Sequence, residues 1–212
     1  MSTVGYLEAS RAGSKIGRWP FKDGGADDDL LWAGRAALGE SGSATGQIAV
    51  LWAWAQLLAQ RVDAGHDCLP CRNQPCRPIS YRWIVGCHSQ PVNEAWRHTG
   101  TAAQQSRRQW LASASWEVLE SRSPGIKQRV YDFASGKTTN PIPGLADFSA
   151  PGQPDVPSGA VTIGGNAFFP EGRSRAIEVR IVPASALPTF AKVGLAGAGA
   201  ALVAWAVSRW LA

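Results

Sequence analysis

Basic runs are missing from this chain. Lys and Arg outnumber Asp and Glu by 21 to 16, giving a net charge of +5 and a pI near 9.3. Yet the positive residues are scattered, and Arg107-Arg108 is the sole adjacent basic pair. A nucleic-acid module needs a clustered basic patch, so nucleic acid is excluded as a partner. Diffuse positive charge suits anionic lipid or an acidic polymer instead. Met1–Glu8 lacks the basic start and apolar stretch of a secretory signal, so none is expected there. Tyr (three) and Met (one) are scarce beside ten Trp. Flat, rigid indoles suit sugar rings, cores and membrane interfaces, and most are expected in the core. Charged residues make up 17% of the chain and apolar ones 45%. Over 212 residues that allows one domain with a real core, plus an appendage.

The Gly- and Ser-containing segment 1–26 reads as an irregular N-terminal arm. Asp27-Asp28-Asp29 then precedes an apolar run, an acidic N-cap that predicts a helix over 28–39. After the polar break Glu40–Thr45, apolar residues at helical spacing predict a helix from Gly46 to Val62. It is apolar on nearly every face, as a buried central helix is. Helices are also expected over 80–87, 102–121 and 126–134, separated by the polar turn 88–93 and stopped at Ser135-Gly136. The Pro- and Gly-rich stretch 137–160 reads as a long connection, and 161–163 and 176–182 as short strands. The fold class expected is mainly α (α+β), with the principal domain over 27–183 and a Cys-rich insertion at 63–80.

One residue is placed to carry chemistry. Cleaving a glycosidic bond requires a carboxylic acid that keeps its proton near neutral pH. A Glu at the edge of an apolar pocket achieves that, because desolvation disfavours its charged form. Glu40 sits between one apolar helix and a more apolar one. The ordinary alternative for a Glu after a Gly at a helix end is a solvated surface residue.

The surrounding pattern is more specific. Leu31-Trp32-Ala33-Gly34-Arg35-Ala36-Ala37-Leu38-Gly39-Glu40-Ser41 followed by Gly46-Gln47-Ile48-Ala49-Val50 resembles the signature of spore-cortex-lytic cell-wall hydrolases. Ser89-Gln90-Pro91-Val92-Asn93-Glu94-Ala95-Trp96 is similar to a stretch of their phage-encoded relatives. Phe133-Ala134-Ser135-Gly136, Asn140-Pro141-Ile142-Pro143 and Gly164-Gly165-Asn166-Ala167-Phe168-Phe169 look like the later blocks, in the same order. The resemblance covers about residues 28–170. It implies a lysozyme-like helical domain that cuts the glycan strand of peptidoglycan, by hydrolysis or lytic transglycosylation, with Glu40 as the acid. It implies substrate contacts at Ser41, Gln47, Ser89, Gln90, Asn93 and Asn166, and no cofactor for catalysis. Two departures stand out: His88 replaces an aromatic and Glu94 a proline. Glu94 and Asp132 are the other carboxylates in the matching blocks and neither falls on a family position, which favours a single-acid mechanism. An enzyme of this kind without a signal would be phage-encoded, virion-associated or delivered to the host envelope on its periplasmic side. The non-enzymatic alternative is a structural or wall-binding virion protein that kept the shape.

Cys68-x2-Cys71-x4-Cys76, with Cys87 after ten more residues, reads two ways. Four thiolates would close a structural zinc site, with His66 and His88 beside it. Two disulfides would pin a loop of a protein working outside the cytoplasm. A zinc amidase fits poorly, because an all-sulfur cluster leaves no open position. Finally, Val193–Ser208 carries no charge. As a helix its length is roughly 24 Å against a bilayer core of ~30 Å. With Lys192 and Arg209 able to snorkel, 187–212 is expected to be a membrane anchor. Its small residues give the alternative, helix pairing with virion proteins or in a homo-oligomer.

Overall fold

The structure, a computed structural model, describes residues 2–25, 28–66, 68–69, 77–93, 98–170 and 176–186. It is a mixed α+β fold built around one buried helix. Helix α1 (Asp29–Glu40) starts where Asp28 accepts a hydrogen bond from the Leu31 N–H. Helix α2 (Ala44–Asp63) starts on Ser43, whose hydroxyl accepts from the Gly46 N–H. From Ala49 to Ala59 every residue of α2 is buried, which is why its sequence is apolar all round. Burying side chains such as Leu51, Trp54 and Leu58 contributes about 1.5–3 kcal/mol each. Helix α3 (Tyr81–His88) packs on α1 and α2, α4 (Ala102–Ser113) and α5 (Trp116–Arg122) pack on α1, and α6 (Ile126–Ala134) packs on both.

The N-terminal segment is not an irregular arm. Strands β1 (Ser2–Arg11) and β2 (Ser14–Asp23) form an antiparallel hairpin. Its turn is Ala12-Gly13, both with positive φ (47° and 81°), the backbone that matches the twist of a two-residue hairpin. Leu7 and Ala9 point into the core at period two, and Phe21 meets the Tyr81 and Phe133 rings edge-on at 5.0 and 5.4 Å. Gly5, Ala9 and Gly17 hid this alternation, because small residues carry little hydropathy contrast. Residues 2–25 therefore pack with the rest of the fold.

The expected helix over 102–121 is two helices. Ala114 adopts an extended backbone, and its carbonyl accepts from Arg35 Nε at 2.9 Å. Ser113 bonds back to the carbonyls of Gln109 and Trp110, a local competitor that helps end α4.

Two short strands, β3 (Cys68–Leu69) and β4 (Arg77–Pro78), pair antiparallel inside the Cys-rich insertion. The connection 137–160 contains β5 (Asp147–Ser149), which pairs with β7 (Asn166–Phe169). β6 (Val161–Ile163) pairs with the other edge of β7, giving the order β5-β7-β6. β8 (Glu178–Pro183) returns to the hairpin, giving the order β2-β1-β8.

Cys87 is disulfide-bonded, the second of the two forms considered for the cysteine cluster. Cys71 and Cys76 lie outside the described residues, as does the expected C-terminal helix over 187–212. Among the described residues no helix is long and apolar enough to cross a membrane.

Candidate active site

Glu40 is the last residue of α1, and three elements converge on it. Helix α1 is held at its other end by Asp29. That buried carboxylate accepts from the Lys22 N–H at 2.8 Å and the Arg82 N–H at 3.0 Å, tying β2 and α3 to the first turn of α1. The turn after α3 supplies Ser89, which is fully buried and donates its hydroxyl hydrogen to Glu40 Oε1 at 2.9 Å. The Gln90 N–H also donates to the Glu40 carboxyl. From β7, Asn166 Nδ2 donates to the Glu40 backbone carbonyl at 3.2 Å.

The carboxyl lies at the wall of a cavity of about 420 Å³. Trp54 and Leu57 of α2 form one side, His88 and Gln90 another, and Ala146–Ala150, Gln153 and Asn166 close it. Burial dominates the electrostatics. Desolvation pushes the Glu40 pKa up to about 7, against the opposing pull of the Ser89 and Gln90 hydrogen bonds and the Arg107 charge. A carboxyl so placed can hold a proton at neutral pH and give it to an oxygen in the cavity.

The other expected contact residues divide. Gln90 and Asn166 line the cavity beside Glu40. Ser89 touches the acid itself. Ser41, Gln47 and Asn93 are buried behind the wall and set its shape. Ser41 donates to the Gly164 carbonyl at 2.9 Å, holding the turn before β7 against the end of α1. Gln47 Nε2 donates to the Ser41 carbonyl at 3.0 Å, while its Oε1 accepts from Arg129 Nε at 3.0 Å. Asn93 Nδ2 donates to the Cys87 carbonyl at 2.6 Å and its N–H to the Ser89 carbonyl at 2.9 Å, fixing the turn that carries Ser89 and Gln90.

Two glycines allow the close approach. A Cβ at Gly46 would meet the Ser41 side chain and, at 2.9 Å, the Gly164 Cα. Gly164 itself has φ +59°, and a Cβ there would strike Gly46. The turn before β7 can thus sit directly on the first turn of α2, which brings Asn166 to Glu40.

Asp147 is a cavity residue absent from the expectations. It is the first residue of β5 and supplies a second carboxylate to the cavity that Glu40 lines. Desolvation raises its pKa, with Asp155 adding to the rise and the Phe148 N–H and Arg61 opposing it. It went unnoticed because 137–160 reads as connection. The faint signal is the apolar-polar alternation Ala146-Asp147-Phe148 between two Pro-rich stretches. His88, one of the two departures from the family pattern, lines the cavity. Among the described residues no group of three or more His, Cys, Asp or Glu side chains is arranged to hold a metal ion. Comparison of the chain with protein-family models, curated proteins and solved structures gave no match.

Proposed function

We propose that this protein is a glycosidase that cleaves the glycan strand of peptidoglycan, with Glu40 as its general acid. The observation that carries the proposal is the Glu40 carboxyl, held by Ser89 and Gln90 at the wall of a cavity where desolvation lifts its pKa to about 7. As the bond between the anomeric carbon and the bridging oxygen breaks, Glu40 donates its proton to that oxygen. Asn166 and Gln90 offer amides to the sugar's N-acetyl and hydroxyl groups. The lysozyme-like pattern around Glu40 supports the substrate class.

The presence of Asp147 changes the expected chemistry. With one carboxyl, the sugar's own hydroxyl must displace the leaving group and close an anhydro ring. With two, water can attack the anomeric carbon and lose its proton to the second carboxylate. Asp147 makes hydrolysis the better fit. Mass spectrometry of peptidoglycan digested by the purified protein tests both levels. New reducing ends support hydrolysis, and anhydro ends support the glycosidase but remove water activation by Asp147. Intact strands overturn the proposal and leave a wall-binding protein.

A further inference from the structure

A second hollow, of about 540 Å³, lies against the end of α1, between α4 and α5. Its floor is Leu38 and Leu111, its end is Gly42, and its walls are Ser106, Arg107, Trp110 and Arg122. Leu38 and Gly42 bracket Glu40 in the chain, and Leu111 Cδ1 would lie 3.2 Å from a Cβ at Gly39. The end of α1, with Pro91 packed on Gly39, stands between this hollow and the Glu40 cavity. An extended ligand reaching from one to the other would run past the end of α1, which carries the acid.

The lining has a definite chemistry. Trp110 is partly exposed, and the Arg122 guanidinium sits over its ring at 5.8 Å. Arg107 and Arg122 are exposed and form no ion pair or hydrogen bond with a described residue. Other arginines of the domain are engaged: Arg11 with Asp63, Arg18 and Arg180 with Glu8, and Arg129 with Gln47 and Ser123. Two guanidinium forks without a carboxylate partner, Arg122 over the indole and Arg107 in the same hollow, match a ring that carries a carboxylate. The exposed part of the indole can pack against the apolar face of a pyranose, and the guanidinium N–H groups donate to the carboxylate.

We infer that the hollow lined by Arg107, Trp110 and Arg122 is a saccharide subsite selective for a sugar whose lactyl or peptide branch bears a carboxylate. The inference rests on the glycosidase proposal for the path of the strand over Glu40, and supplies what that proposal lacks, a reason for choosing peptidoglycan over a neutral glycan. Both arginines project from helix surfaces, so replacing them leaves the core intact.

The test is calorimetric titration of the inactive Glu40→Gln protein, so that binding is read without turnover. Three ligands of equal length are compared: an N-acetylglucosamine oligosaccharide, a peptide-free glycan fragment with free lactyl carboxylates, and a peptide-bearing fragment. At least one acidic ligand is expected to bind about tenfold more tightly than the neutral one, with the preference weakening in salt. Arg107→Gln with Arg122→Gln should abolish that preference while neutral binding persists, and Trp110→Ala should weaken all binding. Preference by the peptide-free fragment identifies the lactyl group, and preference confined to the third ligand identifies the peptide. Equal affinity for all three, or a preference that survives the double substitution, overturns the subsite and leaves the glycosidase standing. No binding by any ligand overturns both.

Discussion

At the scale of single residues, the proposed function depends on how tightly the Glu40 proton is held. Burial raises its pKa, and the Ser89 hydroxyl and Gln90 N–H lower it by favouring the charged form. A general acid works when protonated, so activity should fall as pH rises through about 7. Ser89→Ala removes one of the bonds that favour the carboxylate. Its alkaline limb should therefore move to higher pH, with a lower maximum because the carboxyl is less well positioned. An unchanged limb, measured as rate against pH on a wall suspension, would show that Glu40 does not set it.

At the scale of elements, Asp29 joins three of them. Its two oxygens accept N–H groups from β2 and α3 while it starts α1. Asn has one acceptor oxygen, and its amide would face the second N–H, so Asp29→Asn should destabilise by about 1–3 kcal/mol, read from urea unfolding. Little of this was visible in advance. The Asp27-Asp28-Asp29 cluster announced a helix start, and Asp28 is indeed its cap, but a carboxylate reaching 53 residues onward to Arg82 leaves no local trace. The same division runs through the fold. Helices α1, α2, α3 and α6 were legible because apolar spacing and caps are local, and Glu40 was legible because it stands at the junction of two of them. The hairpin β1–β2 was hidden by glycine and alanine on its inward face, and β5 by the prolines around it. Those are the elements that bring long-range partners, and with β5 came Asp147. Gln47 and Asn93, expected to contact substrate, are buried and turn inward. Position in a motif does not say which way an amide faces.

At the scale of the whole molecule, the site costs stability. In the folded chain Glu40 binds its proton more tightly than in the unfolded chain, about 7 against 4.5. The stability tied to that proton is fully present below pH 4.5 and is lost as pH rises through about 7, at most about 3 kcal/mol. His88 acts oppositely over a lower range, since desolvation and the Arg61 charge lower its pKa to about 4. A difference between two proteins sharing His88 isolates Glu40. Glu40→Gln should melt with the wild type near pH 4.5 and above it at pH 8, because the amide never ionises. A constant offset at both pH values would mean that the wild-type carboxyl is not held protonated by its surroundings.

The same substitution gives the most direct test of Glu40 as the acid. Gln keeps the shape and can still accept from Ser89, but it has no proton to give. Purified wild-type and Glu40→Gln proteins, matched for folding by circular dichroism, are compared for release of new glycan ends from isolated cell walls at pH 6. The expected result is cleavage by the wild type and a loss of at least about a hundredfold in the variant, the scale of a missing general acid. Equal rates from the two proteins would contradict the assignment of Glu40.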